Sequence, residues 1–471
     1  MCYLECASPP GRQVGLNDKT NAIETWSSQL AFYLSVAGAA VGLGTLWRFP
    51  FLVGQYGGGL FVLVFVVVCV LIAVPLLVAE FMLGRRGGEN VPSAAGRVAV
   101  AAGRSRRWSV VGQLGTIAVF VIMTYYSVIG GWVLSYVEAY AVGEVATLDH
   151  AALTARFAGL LANPWRLAFW HALFMGITAL ISLGGLHRGI EIGNKIMLPA
   201  LFVILAGLAV YALAHGDAAR GLAFLTSVDW RRLDAGLVLA AVGQAFYATG
   251  VGMAIMIAYG SHVAQGESLP RSAAVVVGSI ILASLLSSLL IFPLVFAADV
   301  NPAQGPQLAF IVLPSIFVGM PGGMLVGTAF FVLLAFAALT SSIAGLEPPV
   351  AWLTERWGWT RARAVAGVAS VAWLLGLATV LSFNLWSDVH PLAGLAKFRT
   401  ATIFDITDFI GSNLMLPAGA LLTSVFVGWR LQRSLIAEDF GRAPALSRAL
   451  VFVLKYICPL AIAAVFAGAL V

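Results

Sequence analysis

The chain is written as long apolar runs separated by short polar loops. About 20 consecutive apolar residues suffice for a helix to cross a bilayer core. Eleven such runs are legible, over roughly 30–54, 59–83, 109–142, 166–184, 194–214, 236–260, 272–298, 323–354, 362–382, 403–430 and 449–470. The third is long enough to tilt strongly or to extend beyond the bilayer. The pattern predicts an all-α polytopic membrane protein built as one bundle. No period of 20–50 residues is visible, so the chain is not a solenoid.

Two runs depart from a plain spanning pattern. Ser35 to Pro50 reads SVAGAAVGLGTLWRFP, with Gly38, Gly42 and Gly44, then Arg48 and Pro50. Each glycine costs a helix about 1 kcal/mol against alanine, and proline costs about 3 kcal/mol. The stretch is either a helix kinked for close packing or a helix broken near Ala40–Gly44, its freed main-chain groups facing a ligand at mid-membrane. In the second reading Arg48 lies just beyond the break, where a charge needs a partner or water. The sixth run, GQAFYATGVG, places Gly250 and Gly252 in the same way. Runs one and six are five apart. Glycine-interrupted spans at matching positions of two halves point to an inverted-repeat transporter with its site between them, where helix ends aim amides at anions and carbonyls at cations.

Composition agrees with a membrane location. Of 471 residues, 60% are apolar and 10% charged, against about 25% charged in soluble domains. The net charge of +6 does not indicate nucleic acid, because the basic residues fall in loops between spans. With the N-terminus cytoplasmic, nineteen Lys and Arg fall inside and seven outside, with Arg48 in the membrane. This bias predicts an integral plasma (inner) membrane protein with its C-terminus outside. The polar N-terminal residues 1–25 lack an apolar core and read as a cytoplasmic tail,. The cysteines, Cys2, Cys6, Cys69 and Cys458, have no paired spacing and predict neither a disulfide framework nor a metal site,. No Walker A sequence and no nucleophile–base motif appears, so neither ATP-driven transport nor an enzyme is expected.

Polar residues inside the runs are the candidates for chemistry. Thr340, Ser341 and Ser342 are consecutive in the eighth run. They either back-bond to carbonyls one turn earlier or lend oxygens to a hard cation. Tyr125 and Tyr126 are mid-run, either as packing or as phenols that need a polar partner. Asp405 and Asp408 open the tenth run one turn apart, as a helix start or as a partner for Arg48. Glu80 and Glu347 are acids at or near membrane depth, which points to function.

Four of these motifs together resemble the neurotransmitter:sodium symporter family. SVAGAAVGLGTLWRFP with GQYGGGLF is similar to its first span, GQAFYATGVG to its sixth, FAALTSSIAGLE to its eighth and FDITDF to the start of its tenth. The resemblance covers about residues 26 to 430 and implies the LeuT fold: two inverted five-helix repeats, about 26–215 and 234–430, with 431–471 adding a loop and one extra C-terminal span. It implies alternating access and sodium-driven uptake of an amino acid or related amine.

Position by position, the resemblance assigns a sodium site to the carbonyls of Gly38, Val41 and Ala337 and the hydroxyls of Thr340 and Ser341. It assigns substrate contacts to Ala40, Leu43, Gly44, Ile122, Tyr126, Phe246, Tyr247, Gly250, Met253, Ser341 and Gly345. Arg48 and Asp408 match the outer gate pair and Glu355 the inner-gate acid, whose usual arginine is replaced by Ile23, with Lys19 nearby. A second family sodium site is depleted here: its positions read Thr45 and Ala248, and run seven holds only hydroxyls such as Ser284, Ser287 and Ser288. Phe65 stands where chloride-dependent members have tyrosine. The expectation is one sodium per cycle and no chloride. Gly42 replaces the aspartate of amine-specific members, so a zwitterion with a fairly large apolar side chain is the expected substrate. The alternative is a substrate-sensing receptor on the same fold.

Overall fold

In hydrocarbon a backbone must satisfy its own hydrogen bonds, and nearly every apolar run does so as a helix. The computed structural model describes residues 24–88, 90–301, 308–440 and 444–470, and among them no strand occurs. Nine unbroken stretches are long and apolar enough to span: Gly59–Gly87, Arg106–Ala141, Pro164–Leu183, Leu186–His215, Leu269–Ala297, Gly323–Trp357, Arg361–Ser382, Ile403–Arg430 and Ala445–Gly468. These are the second to fifth and seventh to eleventh spans. The first and sixth are the interrupted ones. The first consists of Gln29–Ala40 and Gly44–Tyr56, bent by 60°. The sixth consists of Ala235–Thr249 and Ile255–Ser261.

Helix boundaries moved where charges had masked a span. The fifth span begins at Leu186, eight residues before the apolar run at 194. Its first turns carry His187, Arg188, Glu191 and Lys195, and the charges are absorbed locally. Glu191 accepts from Lys195 Nζ at 2.5 Å and from His187 Nδ1 at 3.0 Å.

The third and eighth spans are the most enclosed, whereas the eleventh is the least. They pack on each other, and the first half of span one lies against spans five, seven and eight. The second half of span six lies on span two, where Gly84 and Gly260 leave no room for a Cβ and the backbones approach closely,. Both breaks are therefore held at the centre of the bundle.

One end of the central path is sealed by Trp26. It is buried, with its ring centroid 5.2 Å from that of Tyr259 and its Nε1 donating to Tyr259 O at 3.2 Å. His262 Nδ1 lies 2.6 Å from Glu24 O, and Trp26 N–H donates to His262 O. Beside it, Arg361 forks onto Glu347 with bonds of 3.0 and 2.7 Å. Cavities open toward the other end, past Arg48.

Candidate functional site

The break in span one follows from its glycines. Helix ends at Ala40, Val41 leaves helical geometry at φ −81, ψ 82, and helix resumes at Gly44. A Cβ on Gly42 would stand 2.6 Å from Ser341 Oγ and 3.3 Å from Tyr126 Oη. One on Gly44 would overlap the Tyr247 ring. The glycines thus let spans three, six and eight reach the main chain at one level. In span six, Gly250 and Gly252 adopt φ of +65 and +90, a region costly for other residues,. Ala254 adopts it as well, at +59, and is the strained member,. Glu80 Oε1 accepts from Gly252 N–H at 2.7 Å, so this buried acid anchors the break. Gln244 Nε2 donates to Gly44 O at 2.9 Å and ties the two breaks together.

Between the breaks lies a cavity of about 60 Å³. Ala40, Leu43, Gly44, Ile122, Tyr126, Tyr247, Gly250, Met253, Ser341 and Gly345 line it. Phe246 departs from the expected set: it is buried and faces the adjoining cavity with Arg48 and Tyr56. On the helix it sits one residue, about 100°, from Tyr247, which lines both cavities. Sequence reasoning missed Val119, Met123, Ile255 and Met256, which also line the cavity. They are ordinary apolar residues in apolar runs, and no local signal marks them. The polar end carries Tyr126 Oη, which is buried without a hydrogen-bond partner among the described residues. No charged side chain is among the lining residues.

The five candidate sodium ligands lie on spans one and eight, which pack against each other. Thr340 Cβ lies 3.5 Å from where a Cβ on Gly38 would be. Ser341 Oγ donates to Ala39 O at 3.1 Å. Thr340 Oγ1 lies 3.0 Å from Phe336 O and 3.1 Å from Ala337 O. Back-bonding and ion binding are compatible here, because a hydroxyl that donates its proton keeps lone pairs to offer. The depleted second set is also gathered. Ser287 Oγ donates to Leu46 O, Ser288 Oγ to Ser284 O at 2.9 Å, and Thr249 Oγ1 turns back to Ala245 O at 2.8 Å. Thr45 Oγ1 and Ser284 Oγ have no partner among the described residues.

Arg48 and Asp408 line a cavity of about 310 Å³ with Tyr125, Trp132, Tyr247 and Phe404. They make no ion pair within 4 Å among the described residues. The Arg48 guanidinium lies 4.6 Å from the Tyr247 ring centroid, and Asp408 Oδ1 accepts from Ser412 Oγ at 2.9 Å. Asp405 is instead spent on a capping box with Thr402. This separates physically two acids that only the family resemblance had told apart. At the Trp26 end, Glu355 pairs with Arg97 at 3.0 Å. Ile23 and Lys19 lie outside the described residues. The Arg97 partner and the Arg361 fork to Glu347 were not legible, since each joins elements remote in sequence or of opposite apparent role.

Residues 23–146 and 158–388 match the model of the Sodium:neurotransmitter symporter family. The chain belongs to that family. An uncharacterized sodium-dependent transporter of Bacillus subtilis is 36% identical over 445 residues, covering 94% of this chain and 96% of the relative. One from Haemophilus influenzae is 32% identical, covering 87% and 90%. The crystal structure of MhsT in complex with L-phenylalanine matches with a TM-score of 0.86 and 39% identity, over 95% of this chain and all of that one. The protein is a sodium-dependent symporter of the membrane, not an enzyme, and its fold is the LeuT fold. The two interrupted spans of the symporter are the first members of its two repeats, which accounts for their central place.

Proposed function

We propose that the symporter imports a zwitterionic amino acid with a large apolar side chain, together with one sodium ion and without chloride. The observation that carries this reading is the cavity between the breaks, whose lining holds no charged side chain. A ligand there must bring its own counter-charge, since an isolated buried ion is very costly. Tyr126 Oη and the main chain of the breaks suit the carboxylate, which fits helix N–H groups. Val119, Met123, Met253 and Met256 suit an apolar side chain, and methionine adapts to its shape. The L-phenylalanine of the MhsT complex is such a ligand.

Sodium would be held by the carbonyls of Gly38, Val41 and Ala337 and the hydroxyls of Thr340 and Ser341. Thr45, Ala248 and the serines of span seven offer too few oxygens in this arrangement for a second ion. Arg48 and Asp408 form the outer gate, open in this conformation, and the Trp26 end with Glu355 is the inner one. This orientation follows the excess of Lys and Arg in loops on that side. Closing the outer side draws Arg48 and Asp408 together as water leaves, because an arginine stranded at that depth is costly.

The test is uptake in proteoliposomes with a panel of amino acids and their decarboxylated amines. Amino acids with large apolar side chains should compete, and amines should not. Thr340→Ala with Ser341→Ala should remove sodium stimulation. Preference for amines, or undiminished stimulation in that variant, overturns the reading.

A further inference from the structure

Asn194 lies in the fifth span and is fully buried. Its Nδ2 donates to Ile190 O at 2.8 Å. That bond fixes which way the amide faces, because the flipped amide would set oxygen against a carbonyl. Oδ1 is thereby turned the other way, and it has no hydrogen-bond partner among the described residues. A Cβ on Gly38 would overlap this oxygen and would stand 3.5 Å from Thr340 Cβ. The amide oxygen and the Thr340 side chain therefore both lie beside the α-carbon of Gly38. Ser35, three residues earlier on the same face of span one, has a second buried hydroxyl without a partner. This flank of the bundle carries oxygens that no donor among the described residues satisfies.

We propose that Asn194 Oδ1 is a further oxygen for the sodium ion, supplied by the fifth span. The inference rests on the sodium site of spans one and eight proposed above. Those spans offer five oxygens, and a hard cation stripped of water takes about six or more. A neutral amide adds the missing dipole without adding a charge. It also connects ion occupancy to the inner side. The fifth span grips the start of span one through Glu191, whose Oε2 accepts from Ser27 N–H at 3.2 Å. One turn deeper, Asn194 meets it at Gly38. With sodium bound, both grips hold the first half of span one in place. When the ion leaves, the deeper contact presents an unsatisfied oxygen and favours separation of the two spans.

The experiment is equilibrium binding of radioactive sodium to the purified full-length protein, without substrate, alongside sodium-dependent thermal stabilisation. Asn194→Ala should weaken sodium binding by about 10–150-fold, the size of one lost hydrogen-bond-like contact to a charge. Asn194→Asp should bind sodium more tightly than the alanine variant and gain affinity as pH rises. A packing role predicts the opposite for aspartate, which would face the Ile190 carbonyl with no proton to donate. If the aspartate variant does not fold, Asn194→Ser, which keeps an oxygen on a shorter arm, should fall between wild type and alanine. Wild-type affinity in Asn194→Ala, or aspartate or serine no better than alanine, overturns the proposal. Absence of any binding lost in Thr340→Ala with Ser341→Ala would instead refute the underlying sodium site, a distinct result.

Discussion

Gly345→Ala isolates the part of the cavity proposed to hold the ligand's side chain. A Cβ at position 345 would stand 2.8 Å from Met123 Sδ and 3.3 Å from both Met123 Cγ and Val119 Cγ2. Ordinary contact needs about 3.5–4.0 Å, so the sulfur must retreat by roughly 1 Å. Methionine can do this, having three rotatable bonds and no branch. The backbone therefore stays in place, and the change is confined to a cavity of about 60 Å³ that all three residues line. The new methyl shortens its apolar end by one carbon. One methylene of misfit in such a pocket is worth about 1–3 kcal/mol, or roughly 10–200-fold. Competition binding across glycine, alanine, valine, leucine, phenylalanine and tryptophan should therefore show a graded loss. The largest side chains should weaken by that factor relative to alanine, with sodium half-saturation unchanged. A uniform loss along the series would mean that the break itself had shifted. No loss at all would mean that the side chain does not sit against Gly345, and either result would refute the assignment.

Arg361→Ala should lower stability by roughly 3–5 kcal/mol, because it strands the buried Glu347 carboxylate,; a melting curve in detergent would show it, and Arg361→Lys should restore only part, lacking the fork. Reversing the charges of Arg48 and Asp408 together should recover some of the uptake lost in either single variant, whereas a double variant no better than the worse single would argue against direct pairing. Arg97→Ala and Glu355→Ala should alter uptake alike and not add when combined, as expected of one pair; the pair is 40% exposed on each side, so stability should change by less than about 1 kcal/mol,. Sodium titration of uptake with reversal-potential measurement should give a Hill coefficient near one and one coupled sodium, without a chloride requirement. Two coupled ions would mean that Thr45 and the span-seven serines rebuild a second site.

The nine unbroken spanning helices, the bent first span and the break in the sixth run were readable along the chain. The reason is physical: in lipid, a backbone can break only where protein or cargo satisfies it, so glycines at Gly38–Gly44 and Gly250–Gly252 carry a message that does not depend on packing. Hydroxyls at Thr340 and Ser341 in an apolar run are expensive enough to be informative for the same reason. What the sequence could not supply was the choice among chemically equal neighbours. Asp405 and Asp408, told apart along the chain only by the family resemblance, differ physically because Thr402 caps the first. Phe246 and Tyr247 both reach the cavity beside Arg48, and only the packing shows that Tyr247 alone also lines the one between the breaks. The apolar lining from Val119 to Met256 is indistinguishable from any lipid-facing stretch until the third, sixth and eighth spans close around it.

Long-range partners were decided by tertiary structure alone. Glu347 read as an acid near membrane depth with no named partner, and Arg361 folds back onto it from the next span. Glu355 found Arg97, and Glu80 found a main-chain N–H at the break in span six. Charge and hydroxyl positions are one-dimensional facts, set by the cost of placing each group in the membrane. Which group satisfies which depends on distances of a few ångströms between these residues, as many as 258 positions apart, and only the packed bundle fixes those.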